Sequence, residues 1–112
     1  MSEHTDEQQA IFAALADPMR RSLLLNLAEH SHKTATQLAR EYPITRQGIL
    51  NHLTVLEGVG LVAVHQEGKE KCYALTPEPL TELEQWINDI GAKWDGRLLR
   101  LKTWLEHDQA DE

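Results

Sequence analysis

A chain of 112 residues has the length of one domain and holds a single cysteine, Cys72, which excludes an internal disulfide and a metal site built from several thiolates. No apolar run approaches the about 18 residues that span a membrane, and the polar, acidic segment 1–9 lacks the apolar stretch of an export signal, so we expect a cytoplasmic protein. The net charge of −7 argues against a nucleic-acid partner if it is spread evenly.

The negative charge lies mainly towards the two ends of the chain. Residues 17–76 carry seven basic and six acidic side chains, a net charge of +1, whereas the other residues carry four basic and twelve acidic ones, a net charge of −8. A near-neutral middle permits contact with DNA phosphates. A solvated surface without a role in partner choice explains the acidic ends equally well.

The first part of the chain predicts two helices, over residues 7–15 and 18–29. Asp17 is a good N-cap for the second helix, and Pro18 suits its first turn, where a missing N–H has no intrahelical partner. Residues 30–33 break the apolar periodicity and predict a loop.

Two further helices follow, separated by a turn. Thr34, with a glutamine three residues later, fits a capping box that starts a short helix through Arg40. Pro43 prevents that helix from continuing. Thr45 caps the next helix, 45–58, whose apolar residues recur at i, i+4 and i+7. This order is typical of a helix-turn-helix.

A hairpin and a long helix complete the chain. Residues 61–66 and 71–75 are rich in apolar side chains and flank a glycine turn over 67–70, which predicts two paired strands. A helix over 79–106 follows, with apolar residues at spacings of three or four. Such a helix extends about 40 Å at about 1.5 Å per residue. One domain of this size cannot easily bury the apolar side of so long a helix. We therefore expect a second copy of the chain to pack against it.

The predicted fold is mainly α with a small β-hairpin, a winged helix-turn-helix of order α-α-α-α-β-β-α that dimerises through its terminal helices. We predict a single domain, 1–112. Its helix-turn-helix and wing cover about 17–76, and its dimerisation helices cover about 7–16 and 79–106. The alternative is that the apolar stripe of the last helix packs on its own chain. The predicted dimer contacts are apolar residues of the terminal helices: Ile11, Phe12, Leu83, Ile87, Ile90, Trp94, Leu98 and Leu101.

Polar side chains at the start of the helix over 45–58 point away from its apolar face: Thr45, Arg46, Gln47 and Asn51. Each can form hydrogen bonds with base edges or phosphates, although a solvated helix face is the alternative interpretation. Basic side chains on the wing and on the neighbouring helices predict further contacts with the DNA backbone: Lys69, Lys71, Arg20, Arg21 and Arg40.

Several segments together carry a family resemblance: 14–21 (ALADPMRR), 44–57 (ITRQGILNHLTVLE), 60–62 (GLV) and the strand that ends at 73–75 (YAL). In this order they resemble the ArsR family of bacterial winged-helix repressors over about residues 11–105. The resemblance implies a homodimer bound to an inverted-repeat operator near a promoter, with the helix over 45–58 in the major groove. It also matches His52 to a family histidine.

The chain departs from the family pattern in its charge. Leu50 stands where many members carry a small polar residue, and Thr54 stands where many carry a lysine. The two lysines of the wing are offset by Glu67 and Glu70. We therefore expect a modest, salt-sensitive affinity for DNA.

The chain also departs from the family in its metal ligands. Classical members bind thiophilic ions through a cysteine pair on the helix equivalent to 34–40, which has no cysteine here, and 79–106 contain no histidine for a zinc site. His30 and His32 supply two ligands at most and are interpreted as solvated loop residues. We predict no metal and no other cofactor.

The sequence thus predicts a homodimeric transcriptional repressor that binds double-stranded operator DNA and does not sense metals directly. The sequence does not say what relieves repression: a small organic ligand, a protein partner or the protein concentration alone. The alternative function is a winged-helix module that binds another protein, its acidic ends repelling DNA. We predict that the protein is not an enzyme, because no Ser, Cys or carboxylate stands at a recognisable spacing from a residue that could act as its general base.

Overall fold

The computed structural model describes the backbone of residues 3–110 and the side chains of residues 6–96 and 99–106. The elements of this range, in chain order, are α1 (Glu3–Leu15), α2 (Pro18–Glu29), β1 (Lys33–Thr34), α3 (Ala35–Ala39), α4 (Arg46–Gly58), β2 (Val62–Glu67), β3 (Glu70–Leu75) and α5 (Glu78–Ala110). The predicted mainly helical fold is confirmed. The chain divides after Leu80 into two compact units.

Local capping bonds set the starts of α2 and α3. The Asp17 carboxylate accepts hydrogen bonds from two backbone N–H groups of the first turn of α2, at 2.7 and 3.3 Å. Thr34 Oγ1 accepts from the Gln37 N–H at 3.1 Å, while the Gln37 side chain accepts from the Thr34 N–H at 2.9 Å. The predicted caps at both positions are confirmed, because they depend only on neighbouring residues.

The Asp17 cap predicts a pH-dependent stability. Burial raises the pKa of this carboxyl, but hydrogen bonds from the N–H groups of Arg20 and Met19 and the nearby charges of His52 and Arg20 together lower it more, so it lies below its ordinary value of 3.8. The stabilisation is therefore present above that ordinary value and lost as the pH falls through the lower pKa of the folded state. Asp17→Asn keeps a capping oxygen without a titrating charge. We expect the difference in Tm between the wild-type protein and this variant to shrink between pH 6 and pH 2. A difference that stays constant would contradict the assignment.

The first unit has one apolar core, shared by the helices and the sheet. Its largest fully buried side chains are Leu23, Leu27, Leu38, Ile49, Leu53, Leu56 and Leu61. The predicted apolar faces of α2 and α4 are confirmed by this burial. Because three of these side chains belong to α4, the core fixes the rotation of that helix about its axis.

The sheet contains a third strand that the sequence did not predict. β1 is antiparallel to β3, with Lys33 opposite Tyr73 and Thr34 opposite Cys72, which gives the strand order β1-β3-β2. The loop predicted over 30–33 is therefore wrong at Lys33. A strand of two residues is too short to show an alternation of apolar and polar side chains. Its pairing depends on the edge of β3, which lies far away in sequence.

The helix ends also differ from the predicted ones. α1 begins at Glu3 instead of residue 7, and α5 ends at Ala110 instead of residue 106. In both segments the sequence is polar and compatible with a helix but lacks the apolar periodicity on which the predictions relied.

A left-handed glycine ends α4. Gly60 has φ 80°, and its N–H donates to the Glu57 carbonyl at 3.0 Å while the Leu61 N–H donates to the Leu56 carbonyl at 2.9 Å. We expect Gly60→Ala to lower the free energy of unfolding by about 1 kcal/mol, because a Cβ disfavours positive φ. Gly58 is the matched control: it is helical with open space at its Cβ, so Gly58→Ala should be neutral or stabilising. Equal effects of the two substitutions in urea denaturation would contradict this account.

α5 carries many large apolar side chains that are exposed in the single chain: Trp86, Ile87, Ile90, Trp94, Leu99, Leu101, Trp104 and Leu105. Of the other predicted dimer contacts, Phe12 is exposed, Ile11 and Leu83 are buried within the chain, and Leu98 lies outside the described side chains. The dimer contacts stay a prediction. No helix among the described residues is both long and apolar enough to cross a membrane.

Candidate nucleic-acid interface

The first two turns of α4 present polar side chains to solvent. The Thr45 N-cap accepts a hydrogen bond from the Gly48 N–H at 3.0 Å, which fixes where the helix begins. Since the apolar face of α4 lies in the core, Arg46, Gln47 and Asn51 are exposed. Gln47 Nε2 donates to Asn51 Oδ1 at 3.0 Å, so the two amides form a linked pair on the outer face.

A groove of about 480 Å³ separates the start of α4 from the β2–β3 hairpin, which we call the wing. Three cationic side chains and one carboxylate are among the groups that line it, which gives its walls a net positive charge suited to phosphate. The lining residues are Thr34, Ala35, Thr36, Arg46, Leu50, Gln66, Lys69, Glu70, Lys71 and Tyr73.

Arg46 is held at this groove by a contact with α3. Its Nε donates to Thr36 Oγ1 at 3.1 Å, a bond that leaves the two terminal amino groups of the guanidinium for other acceptors. Buried Tyr73 lines the same groove. Burial and the nearby Glu57 carboxylate raise the pKa of Tyr73 above its ordinary value, although Arg46 opposes the shift. The tyrosine is therefore a neutral phenol at neutral pH.

The wing places two lysines around a tight turn. Gly68 at the tip has φ 63°, and its carbonyl accepts from Gln66 Nε2 at 3.1 Å. Lys69 and Lys71 are exposed. Glu67 and Glu70 face each other across the hairpin, where like charges repel and reduce the positive field of the wing.

Arg20 and Arg21 both bond to the C-terminal end of α1. Arg20 Nε donates to the Ala14 carbonyl at 2.7 Å, and Arg21 Nη1 donates to the Leu15 carbonyl at 2.6 Å. These bonds satisfy carbonyls that the helix itself leaves unpaired. Arg40 is the exposed C-cap residue of α3. Contact of these three arginines with DNA stays a prediction, and the first two have a structural task in the unbound chain.

His52 lies on α4 and faces α2. Its Nδ1 is 3.4 Å from Arg20 Nη1, and Arg20 also lies 3.9 Å from the Asp17 carboxylate. This chain of contacts connects the N-cap of α2 to α4. The histidine that the family resemblance singled out therefore has a structural partner.

Two residues of this surface were missed by sequence reasoning: Thr36 and Gln66. Thr36 positions Arg46, and Gln66 bonds across the tip of the wing. Their polar side chains carry no distinctive spacing, because their partners are brought near by the turn of the helix-turn-helix and of the wing. No sequence signal marked them.

The described side chains contain no group of three or more His, Cys, Asp or Glu residues that could hold a metal ion. His32 and His65 come close, with ring centroids 5.8 Å apart. Burial raises the pKa of the Cys72 thiol, and the Glu67 carboxylate, 3.5 Å from its Sγ, raises it further. Cys72 is therefore a protonated thiol at neutral pH, as expected of an ordinary strand residue.

Comparison with known proteins agrees with this geometry. The helix-turn-helix domain family matches residues 15–65. The Bacillus subtilis protein YuzN, described as an uncharacterized HTH-type transcriptional regulator, is 39% identical over 87 residues, covering 71% of this chain and 95% of YuzN. The transcriptional repressor SdpR of Bacillus subtilis is 28% identical over 88 residues, covering 79% of this chain and 97% of SdpR.

A solved structure gives the same result for the fold. An ArsR-like transcriptional regulator from Rhodococcus sp. RHA1 superposes with a TM-score of 0.76 at 33% identity, covering 91% of this chain and 95% of that one. The agreement extends over nearly the whole length of both proteins. This chain therefore belongs to the ArsR family of winged helix-turn-helix regulators, and it is a DNA-binding regulator of transcription.

Proposed function

We propose that the protein is a homodimeric, cytoplasmic repressor that binds an inverted-repeat operator with one α4 helix per half-site. The start of α4, with Thr45, Arg46, Gln47 and Asn51, enters the major groove; Gln47 and Asn51 face the base edges, while Arg46 and the lysines of the wing contact the flanking backbone. SdpR, which is named as a repressor, supports the direction of regulation. Bound at a promoter, the dimer blocks polymerase and needs no catalytic residue of its own.

The proposal rests on one observation: the polar face of α4 lies beside a groove that is lined by cationic side chains. Arg46, Lys69 and Lys71 line the groove, and the amide pair lies on the exposed face of the same helix. One surface thus offers cations for phosphates and amides for base edges. The positive residues are few, so the proposed affinity is modest and sensitive to salt.

The apolar surface of α5 supports a second copy as the partner. Ile87, Trp94 and Leu101 are seven residues apart and exposed, which places them on one side of the helix. Exposed apolar surface of this extent marks an interaction site in soluble proteins. A two-fold dimer buries the same stripe on both copies and supplies the two α4 helices that an inverted repeat requires.

Regulation of the repressor does not pass through the family's thiophilic metal site in this proposal. The cysteine pair expected on the helix equivalent to α3 is replaced by Ala-Thr-Gln-Leu-Ala. Cys72 is held protonated in the wing. In this proposal a small organic ligand, a protein partner or the protein concentration itself relieves repression.

Selection of duplexes from a random-sequence library, followed by affinity measurements at several salt concentrations, tests the proposal. Each protein cation at a phosphate makes the slope of log affinity against log salt more negative by about 0.9. Arg46, Lys69 and Lys71 from two copies predict a slope of about −5. A library that yields no enriched duplex, together with a residual affinity for unselected DNA that an Arg46→Ala, Gln47→Ala double variant leaves unchanged, would instead support a protein-binding module.

A further inference from the structure

The linked amides of Gln47 and Asn51 are the most specific chemical feature of the proposed DNA face. They lie one turn apart on α4, both are exposed, and Gln47 Nε2 is 3.0 Å from Asn51 Oδ1. The opposite side of α4 is fully buried at Ile49 and Leu53, so the pair is held facing outward. The two amides are therefore linked to each other on the outer face of α4 in the unbound chain.

The hydrogen bond between the amides determines what they offer to a base. Each amide has a carbonyl oxygen with two lone pairs and an amino group with two N–H donors, and the bond uses one N–H of Gln47 and one lone pair of Asn51. The carbonyl of Gln47 and the amino group of Asn51 then remain for a partner. If both amides are turned over, the bond runs the other way and the remaining groups are again one carbonyl and one amino group. The pair thus presents at least one free carbonyl acceptor and one free amino donor in either arrangement.

One base edge of the major groove matches that combination. Adenine has the N7 acceptor beside the N6 amino donor, whereas guanine has two acceptors, N7 and O6. Cytosine offers its N4 donor, and thymine offers its O4 acceptor beside a methyl group. Of the four bases, adenine is the one whose major-groove edge carries an acceptor and a donor together, so it can bind a free donor and a free acceptor of the pair at once.

Arg46 does not compete for this role. It lies in the groove towards the wing, and its Nε is committed to Thr36 at 3.1 Å. The groove, with Lys69 and Lys71 on its other wall, suits the sugar–phosphate backbone. Affinity and sequence selectivity are therefore carried by different side chains of the same surface.

We propose that the Gln47–Asn51 amide pair reads one adenine in each half of the operator as a single bidentate unit. The proposal rests on the DNA-binding function proposed above and adds the base that the site selects. The amino group of the pair donates to adenine N7, and the carbonyl accepts from the adenine N6 amino group. Guanine at this position places its O6 acceptor against the amide carbonyl and is rejected.

Atomic substitutions in the DNA test this assignment. In a duplex enriched by selection with the full-length protein, each adenine is replaced in turn by 7-deazaadenine, which lacks the N7 acceptor, or by purine, which lacks the amino group. At one adenine per half-site, each replacement should lower the affinity of the wild-type protein roughly tenfold. Gln47→Ala and Asn51→Ala should bind the natural and the substituted duplexes equally. A wild-type protein that is insensitive at every adenine overturns the proposal.

Two further outcomes distinguish a linked pair from separate contacts. If the amides act as one unit, Gln47→Ala, Asn51→Ala and the double variant lose nearly the same affinity. Losses that multiply in the double variant overturn the bidentate reading. Gln85→Ala, on the exposed surface of α5, is the matched amide control and should keep the sensitivity to 7-deazaadenine. If no duplex is enriched or bound at all, the proposed function fails; if duplexes bind but the α4 variants keep adenine sensitivity, the base assignment alone fails.

Discussion

Arg46→Ala is expected to lower the affinity for an operator duplex roughly tenfold or more, and by a similar factor for every duplex sequence. Hydrogen bonds to charged groups contribute about 1.5–3 kcal/mol each. Arg46 is the cation that α4 contributes to the groove, and its position is set by the 3.1 Å bond to Thr36. Because phosphates carry no base identity, the loss should be uniform across sequences, and the salt slope should fall by about 1 per copy.

Two variants control this measurement. Lys102→Ala removes the same charge from α5, where Lys102 lies 3.9 Å from Glu106 on an exposed surface, and it should leave the affinity nearly unchanged. Thr36→Ala keeps the guanidinium but removes its positioning contact, so its effect should be smaller and of the same kind. If Arg46→Ala and Lys102→Ala weaken binding equally, net charge rather than the groove governs affinity.

Trp94→Glu is expected to convert a dimer into a monomer at concentrations where the wild-type protein is dimeric. Trp94 is 58% exposed in the single chain, so the fold does not depend on its burial. Burying one large apolar side chain contributes about 1.5–3 kcal/mol, and a symmetric interface loses it twice. The dissociation constant should therefore rise roughly 100-fold or more, with an added penalty for burying two carboxylates. Analytical ultracentrifugation over a range of concentrations measures this change.

Lys93→Gln is the matched control for Trp94→Glu, because it changes the net charge by the same amount at the neighbouring exposed position. It should leave the dimer intact. The monomeric variant should also bind a single half-site as well as it binds the inverted repeat. A wild-type protein that sediments as a monomer, or a Trp94→Glu variant that remains dimeric, would show that the stripe on α5 is not the interface.

The parts of the fold that were predicted from sequence are those fixed by neighbouring residues. The caps at Asp17, Thr34 and Thr45 use side chains two or three positions from their partners, so their signals are local. The apolar face of α4 follows from its periodicity. β1 could not be predicted, because two residues pair with β3 only after the chain has returned from far along the sequence.

The candidate site also combines features that the sequence predicts with features that depend on the fold. The exposure of Gln47 and Asn51 follows from the period of α4, and their spacing of four residues permits their bond. The direction of an arginine side chain does not follow from its position in the sequence. Arg46 turns to Thr36, while Arg20 turns back to the carbonyls of α1, because each long side chain finds an acceptor that the fold brings near. From sequence, both arginines were predicted to contact DNA.

Hydroxyl-radical footprinting of the wild-type protein on a selected duplex shows whether the two α4 helices of a dimer contact DNA. If a dimer inserts two α4 helices into an inverted repeat, two protected regions should appear about 10 base pairs apart, centre to centre. Arg46→Ala should weaken both regions together. A single protected region, uniform protection along the duplex, or a pattern that Arg46→Ala and Gln47→Ala leave unchanged would contradict the claim that α4 of a symmetric dimer reads the DNA.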